Sequence, residues 1–204
     1  MIEVLVTIAI IVLLAMLILP ELKKARSRAR SICCNCNLKQ IGLGIRQWGM
    51  DHGDRYPAQV SVTNGGVMEL VENGYVASCF LVTSNELNTP VVLWCPTETQ
   101  NMQAKTFANG LGNSNVSYFI ALDADETQPQ MFLTGDDNFL VNGQPVNPGV
   151  LALATNTPVA WSTARHNKQG NVGMADGSVQ GFSNSKLQEA LINTGTNIVR
   201  LAFP

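Results

Sequence analysis

The residues of this chain whose types could do chemistry are two histidines, five cysteines and a set of acidic residues. His166 stands nine residues before Asp176-Gly177, and a histidine with an aspartate can transfer protons in general acid–base catalysis. No nucleophile or second acid accompanies this pair, and Asp-Gly is typical of a tight hairpin turn. The pattern therefore favours a structural role, in which His166 forms a hydrogen bond that fixes the strand before the turn. No enzyme is predicted.

The cysteines favour disulfides over a metal centre. They lie at Cys33, Cys34, Cys36, Cys79 and Cys95. Zinc sites usually combine two spaced cysteine pairs, or cysteines with histidines, and neither His52 nor His166 is at ligand spacing from the cysteines. Disulfides in an oxidising compartment fit better, and the odd number leaves at least one thiol free or paired between chains. The three crowded cysteines point in different directions around a helix, so they cannot all meet one partner region.

Acidic residues in predicted loops are weak candidates for a structural calcium site. They are Asp123, Asp125, Glu126, Asp136 and Asp137. Carboxylate oxygens are the ligands that Ca²⁺ prefers, but these spacings do not form an EF-hand loop. Solvated turns are therefore the favoured interpretation, and no other metal or cofactor is predicted.

An apolar segment opens the chain and contains one charged residue. Residues 1–20 end at Pro20, and Glu3 is the only charged side chain among them. An acidic residue at the centre of a membrane helix costs about 2.5–3.5 kcal/mol, so this carboxylate needs a partner. As a helix the segment would rise about 30 Å, enough to cross a hydrocarbon core. We therefore predict a membrane helix in which Glu3 has a specific role.

A signal peptide is the alternative interpretation of this segment. It is disfavoured because no basic region precedes the apolar run and no small-x-small cleavage site follows it. The basic residues within 23–30 would place the following domain in the cytoplasm by the positive-inside rule, whereas disulfides favour an oxidising compartment. These indications conflict, and the sequence alone leaves the orientation open.

A single long helix is predicted from about residue 2 to about residue 50. Beyond Pro20, apolar residues follow a 4-3-4-3 spacing that lines up one helical stripe, with polar residues on the opposite face. The stripe consists of Cys34, Leu38, Ile41, Ile45 and Trp48, and the polar face of Arg28, Lys39, Gln40 and Arg46. Pro20 removes one backbone hydrogen bond, so the helix either stops there or continues with a kink, and we predict the kinked continuation. Turn residues at 51–54 end the helix.

Residues 51–204 predict a small antiparallel sheet domain. Helices are expected at 66–73, closed by Gly74, and at 185–193, capped by Ser185; strands are expected at 91–94, 116–122, 158–161, 171–175 and 178–182. The last two strands flank Asp176-Gly177 in a hairpin with a type I′ turn. The predicted class is α+β, with residues 1–20 transmembrane, 21–50 amphipathic and 51–204 forming a globular head.

Composition excludes one class of partner. The 204 residues carry a net charge of -2, and only 14% of them are charged. Nothing in this balance suggests a nucleic-acid binder, whereas abundant Gly, Asn, Thr and Ser suit a turn-rich extracytoplasmic domain.

The start of the chain resembles the N-terminal signature of type IV pilins and type II secretion pseudopilins. The matching features are the stretch Ile2-Glu3-Val4-Leu5-Val6, the apolar run, Pro20 and the basic residues that follow on the same helix. In that family a prepilin peptidase removes a leader, the new N-terminus is methylated, and the glutamate is the fifth mature residue. The resemblance implies a mature start two residues before Met1. Basic residues in a leader would hold the N-terminus in the cytoplasm.

Other segments narrow the resemblance to pseudopilin-like proteins of Planctomycetes and Verrucomicrobia. These segments are 34–43, 51–57, 94–96, 117–120 and 135–138. That group carries a C-terminal His-x9-Asp-Gly pattern, which His166 and Asp176-Gly177 match here.

The resemblance implies roles for residues of the helix. Glu3 would pair with the N-terminal ammonium of a neighbouring subunit and set the axial register of a filament. Pro20 would permit local melting of the helix when subunits pack. The basic residues within 23–30 would contact lipid headgroups or acidic patches of neighbours, unless they form only a solvated face.

The family pattern also implies a disulfide between Cys34 and Cys95, which would tie the long helix to the sheet. A pairing of Cys36 with Cys79 is a weaker second expectation.

The function that the resemblance implies is structural: a subunit of a type IV pilus-like or type II secretion pseudopilus filament, with a pilin-like fold. Its partners would be copies of itself, the inner membrane, the prepilin peptidase and the assembly machinery. The chain would cross the inner membrane once, with an extracytoplasmic head, before joining a periplasmic or surface filament. A minor tip pseudopilin or adhesin, and a membrane-anchored extracytoplasmic binding domain, are the alternatives.

Overall fold

A long N-terminal helix followed by an antiparallel sheet domain makes up the protein. The computed structural model describes residues 2–98, 102–108, 110–166 and 168–204. Helix α1 covers Ile2–Met50, and within these described residues it is followed by two antiparallel sheets and four further α-helices. The predicted α+β class is confirmed, and this arrangement is consistent with a pilin-like fold. Met1, which the sequence placed in the apolar helix, lies outside the described residues.

Helix α1 has an exposed half and a half that packs on the head. It continues through Pro20 without a break in its helical assignment. The described side chains of residues 2–30 are exposed, because the head contacts only the later part of the helix. The predicted apolar stripe is confirmed, since all five of its residues are buried: Cys34, Leu38, Ile41, Ile45 and Trp48.

The segment after α1 consists of short helices instead of strands. The α-helices are α2 (Met68–Glu72), α3 (Ala77–Val82) and α4 (Ser84–Leu87), with 3-10 helices at Pro57–Gln59, Val62–Asn64, Pro90–Leu93 and Asn113–Asn115. The predicted helix ending at Gly74 is confirmed as α2. The predicted strand at 91–94 is wrong, because Pro90 opens a 3-10 helix whose start is capped by the Thr89 hydroxyl.

Two antiparallel sheets form the rest of the head. The strands are β1 (Tyr118–Ala121), β2 (Phe132–Asp136), β3 (Phe139–Val141), β4 (Gln144–Pro145), β5 (Gly149–Ala154), β6 (Val159–Trp161), β7 (Gln169–Met174), β8 (Val179–Ser183) and β9 (Ile198–Phe203). The larger sheet has the order β5-β9-β1-β2-β7-β8, and the smaller one β4-β3-β6. The strands predicted at 116–122, 158–161, 171–175 and 178–182 correspond to β1, β6, β7 and β8. Helix α1 packs on β2, β7 and β8.

Two local predictions need correction. The closing helix α5 covers Asn184–Ile192, so its N-cap is Ser183 and not Ser185. The hairpin between β7 and β8 is not type I′, because only Gly177, and not Asp176, has positive φ. The Gly177 amide donates to the Met174 carbonyl, and the Met174 amide donates to the Ser178 carbonyl. This pattern is that of a three-residue loop with a left-handed glycine at its end.

Aromatic side chains fill the space between the two sheets. Phe139 packs edge-on against Phe119 and Trp161, and Phe203 lies against both phenylalanines. These rings are almost fully buried. This aromatic packing stabilises the sheets, and the polar cluster described next lies on them.

Candidate functional site around the Cys34–Cys95 disulfide

A disulfide joins α1 to the head. Cys34 lies on the buried stripe of α1, and Cys95 follows the 3-10 helix Pro90–Leu93. Their Cα atoms are 5.5 Å apart across 61 positions of sequence, and both residues are fully buried. The pairing that the resemblance implied is therefore present.

The second expected pairing is wrong, because Cys36 and Cys79 are both free thiols. Cys36 is exposed on α1, whereas Cys79 is buried in α3 among the core side chains. Burial raises the pKa of the Cys79 thiol to about 12, so this thiol is inert at neutral pH. Cys33 is also free and exposed.

His166 lies against the disulfide. Its Nε2 atom is 3.4 Å from Cys95 Sγ and 3.4 Å from the Thr97 hydroxyl oxygen, which is itself 3.0 Å from that sulfur. The backbone of His166 has a φ of 51°, in the left-handed region that few side chains adopt. The tight loop between β6 and β7 thus turns the imidazole inward, and only 2% of the side chain remains exposed.

Asp136, at the end of β2, faces the same imidazole. Its Oδ2 atom is 3.7 Å from His166 Nε2 and accepts hydrogen bonds from the Asn171 backbone amide at 2.7 Å and side-chain amide at 3.0 Å. Its Oδ1 atom has no hydrogen-bond partner among the described residues. Burial raises the pKa of Asp136 although His166 opposes the shift, and burial lowers the pKa of His166. Burial therefore disfavours the charged form of both groups.

Arg165 supplies the positive charge of this region. Its guanidinium contacts the Glu98 carboxylate at 3.1 Å, pairs with Asp137 and donates to the Ser117 carbonyl oxygen at 3.4 Å. Only 7% of the Arg165 side chain is exposed. A buried guanidinium between two carboxylates is satisfied internally, so it is not offered to an external anion.

The other end of the His-x9-Asp-Gly pattern lies at a different place. The Asp176 carboxylate accepts a hydrogen bond from the Ser178 amide at 2.8 Å within the hairpin turn, and the Asp176 carbonyl accepts one from Arg46 at 2.9 Å. Arg46 also pairs with Glu126. Arg46, which the sequence places on the polar face of α1, therefore reaches the head, where its guanidinium lies over the turn and fixes α1 to it.

Gly177 has a specific reason to be glycine. Its φ is 85°, and a Cβ atom added there would lie 2.5 Å from Arg46 Nη1. The left-handed backbone disfavours a side chain, and an added Cβ atom would require the Arg46 guanidinium to shift. The two ends of the pattern thus anchor opposite ends of β7, His166 at the disulfide and Asp176-Gly177 against α1.

Among the described residues His166 makes no direct hydrogen bond to β7, the strand that it was predicted to fix. Asp136 lies between them, because its carboxylate contacts His166 and accepts the Asn171 amide of β7.

The candidate calcium ligands are not brought together. Asp123 pairs with Arg200, whose Nε lies 3.0 Å from Oδ2, and Asp125 accepts two hydrogen bonds at 2.8 Å from Thr127. Glu126, Asp136 and Asp137 have the separate partners given above. In the described chain no cluster of possible metal ligands contains two of these five carboxylates.

A different set of possible metal ligands does converge. One donor atom each from Cys34, Cys95, Asp136 and His166 lies within 4.8 Å of the other three. Both sulfurs are engaged in the disulfide here, and the thiolate, not the disulfide, is the metal-binding form of cysteine. Sequence spacing missed this set because His166 and Asp136 lie far from both cysteines along the chain. No local signal connects them.

The remaining singled-out residues lie on the exposed half of α1. Helix α1 is long and apolar enough to cross a membrane by length and composition, a property it shares with signal sequences. Glu3 is exposed near its start, and Pro20 lies inside it. Lys24 pairs with Glu21 at 2.8 Å on the solvated surface.

Comparison with protein-family models, curated proteins and solved structures finds no match.

Proposed function

We propose that the chain is a structural subunit of a type IV pilus-like or type II secretion pseudopilus-like filament, and not an enzyme. In this proposal the apolar half of α1 anchors the chain in the inner membrane with the head outside. The same half then packs with copies of itself in the filament core. The prepilin peptidase and the assembly machinery act on it before and during assembly.

The observation that carries this proposal is the combination of an exposed apolar half and a packed half in one continuous helix. The described side chains of residues 2–19 are exposed, and they include large apolar groups throughout. Monomeric soluble proteins rarely expose contiguous apolar patches above a few hundred Å². A lipid bilayer or a bundle of equivalent helices would cover this surface, and the disulfide keeps the head attached to it.

Glu3 would determine how neighbouring copies align in the filament. A carboxylate carried into an apolar filament core needs a cationic partner, and the N-terminal ammonium of a neighbouring subunit would supply one. Because the pair forms only at one axial offset between copies, it would select the register of assembly. The buried disulfide supports the extracytoplasmic position of the head, since such bonds persist in oxidising compartments.

Replacement of Glu3 tests the assembly role. We expect Glu3→Ala to abolish or strongly reduce filaments in electron micrographs of surface preparations, because the ammonium of each neighbour would be left without its partner. Glu21→Ala is the matched control: it removes a carboxylate from the same helix, where Glu21 makes only an exposed pair with Lys24. That variant should assemble normally.

Equal filament yield from Glu3→Ala, Glu21→Ala and the unmodified chain would contradict the assembly role. Immunogold label confined to filament tips would instead identify a minor tip subunit or adhesin. A chain that stays in the membrane and forms no filaments would identify an anchored binding domain.

A further inference from the structure

The dithiol form of the Cys34–Cys95 pair offers chemistry that the disulfide form does not. Newly synthesised cysteines are thiols, and in this fold both sulfurs lie beside an imidazole and a carboxylate. All four donors are almost fully buried: Cys34, Cys95, Asp136 and His166. Cysteine, histidine and aspartate are all zinc ligands, and two cysteines with one histidine bind zinc with a further ligand in the fourth position.

The distances suit a small tetrahedral ion. Zinc binds sulfur at about 2.3 Å and nitrogen at about 2.0–2.1 Å, so neighbouring sulfur and nitrogen ligands lie about 3.5 Å apart. Cys95 Sγ and His166 Nε2 are 3.4 Å apart, and His166 Nε2 and Asp136 Oδ2 are 3.7 Å apart. The other donor atoms of the set lie within 4.8 Å of one another. Once the bond between the sulfurs is absent, the two sulfurs can separate to the spacing that a tetrahedral ion requires.

The carboxylate provides a second, independent indication. Asp136 is fully buried, and its Oδ1 atom has no hydrogen-bond partner among the described residues. A buried carboxylate is normally paired, hydrogen-bonded on both oxygens, or bound to a metal. The two amide hydrogen bonds from Asn171 orient this carboxylate, as the supporting residues around metal ligands commonly do.

We propose that the dithiol form of the chain binds one thiophilic divalent cation, of the Zn²⁺ type, through Cys34, Cys95, His166 and Asp136. Binding displaces one proton from each thiol. Oxidation ends the metal-bound state: an oxidant disulfide accepts two electrons from the two thiolates and takes up two protons to become a dithiol. The Sγ–Sγ bond forms and the cation leaves. The metal would hold α1 on the head until the covalent bond replaces it.

Cobalt uptake by the full-length chain in detergent tests this proposal, because Co²⁺ replaces zinc and absorbs strongly when thiolates bind it. The chain carries Cys33→Ser and Cys36→Ser, which remove the two exposed thiols. It is reduced with a phosphine and freed of metal before titration. We expect one Co²⁺ per reduced chain with a thiolate charge-transfer band, and none in the oxidised chain. The oxidised chain also controls for the buried Cys79 thiol.

Histidine variants identify the ligands. We expect His166→Gln to weaken cobalt binding at least about 100-fold, since loss of supporting residues alone weakens metal sites 10–100-fold. His52→Gln is the matched control, because His52 stacks on Trp48 away from this set and should leave the titration unchanged. Asp136→Asn should also weaken binding and alter the cobalt spectrum.

The folding of the reduced chain gives a readout that does not depend on variants. If the reduced chain is folded by circular dichroism, Zn²⁺ should raise its Tm; if it is unfolded, Zn²⁺ should restore its structure. Absence of both effects, absence of cobalt uptake, or equal uptake by the His166→Gln chain would overturn the proposal.

Discussion

At the residue scale, the polar cluster beside the disulfide contains buried groups whose charged forms are disfavoured by burial and favoured by one another. Asp136 and His166 share one environment, in which burial penalises the charge of each while each favours the charge of the other. Arg165 lies beside them with Glu98 and Asp137. The stability of the head should therefore depend on pH through named groups.

Asp136 makes a pH-dependent contribution with a definite sign. Its pKa is raised by burial, so above the ordinary value of about 3.9 the folded chain retains a proton that the unfolded chain has lost. Stability from this group is therefore highest at low pH and decreases as pH rises toward neutrality. Relative to the unmodified chain, Asp136→Asn should gain stability between about pH 4.5 and pH 7, measured by urea unfolding of the oxidised protein.

Asp125→Asn is the control for this measurement. The Asp125 carboxylate is exposed, and hydrogen bonds from Thr127 lower its pKa, which moves its titration below the range tested. The difference in free energy of unfolding between Asp125→Asn and the unmodified chain should therefore stay constant across that range. A constant offset for Asp136→Asn as well would contradict the assigned direction of its pKa.

Gly177 should be sensitive to replacement for two reasons. Gly177→Ala places a Cβ in a left-handed position, which costs about 1–2 kcal/mol, and also against the Arg46 guanidinium. Gly143→Ala separates these effects, because Gly143 has a φ of 77° and nothing within 4 Å of an added Cβ. We expect Gly177→Ala to lower the free energy of unfolding more than Gly143→Ala in urea titrations. Equal losses would mean that the Arg46 contact contributes nothing.

At the element scale, the sequence predicted the elements whose signal is local. The apolar stripe of α1 follows the helical period, so Leu38, Ile41 and Ile45 could be assigned to the core directly. Strand β2 is buried on both faces and β7 nearly so, which removes the alternation that identifies a strand. These strands were missed or shortened for that reason.

The absence of a local signal also explains why the contact between Asp136 and His166 was not predicted. Asp136 reaches His166 because β2 pairs with β7, with Gly135 opposite Val172. Residues that strand pairing brings together from distant parts of the chain have no regular spacing from which their contact could be predicted. The resemblance supplied the disulfide and singled out His166, but only the sheet brings Asp136 to them.

The disulfide should add a measurable share to the attachment between α1 and the head, beside the packing of the buried stripe. Closing a loop across 61 positions stabilises the folded state by about 4 kcal/mol in the chain-entropy estimate. We therefore expect the Cys34→Ala, Cys95→Ala double variant to lose about that much unfolding free energy in guanidinium titrations. The matched Cys33→Ser, Cys36→Ser variant changes only exposed thiols and should stay within about 0.5 kcal/mol of the unmodified chain. Similar losses in both variants would contradict this role.

At the scale of the whole molecule, the chain has a buried apolar core in the head and an exposed apolar surface on α1. The head buries a contiguous apolar core of its own, whereas the described side chains of residues 2–19 remain exposed. The sequence predicted this division because an uninterrupted apolar run differs in composition from everything after it. The composition of the run does not identify what covers it, so the membrane and the neighbouring subunits stay predictions.

Removal of the exposed half tests whether it alone holds the chain in membranes. The full chain should remain in the membrane fraction after alkaline carbonate extraction, and mass spectrometry should find the apolar run retained. A chain lacking residues 1–30 should be soluble without detergent and keep its disulfide, because its buried contacts begin at Cys34. A mature membrane-fraction protein that lacks the run would identify a cleaved signal sequence instead.

The position of the disulfide has a mechanical consequence. Among the described side chains, Cys34 is the first buried one along α1, so the Sγ–Sγ bond lies where the helix first meets the head. A pull on the exposed half of α1 that peels the helix away would meet this covalent bond before any packed side chain. Force is then carried as tension in a bond instead of separating noncovalent contacts one by one. A filament built from such subunits should keep its heads attached under loads that would peel off a head held by packing alone.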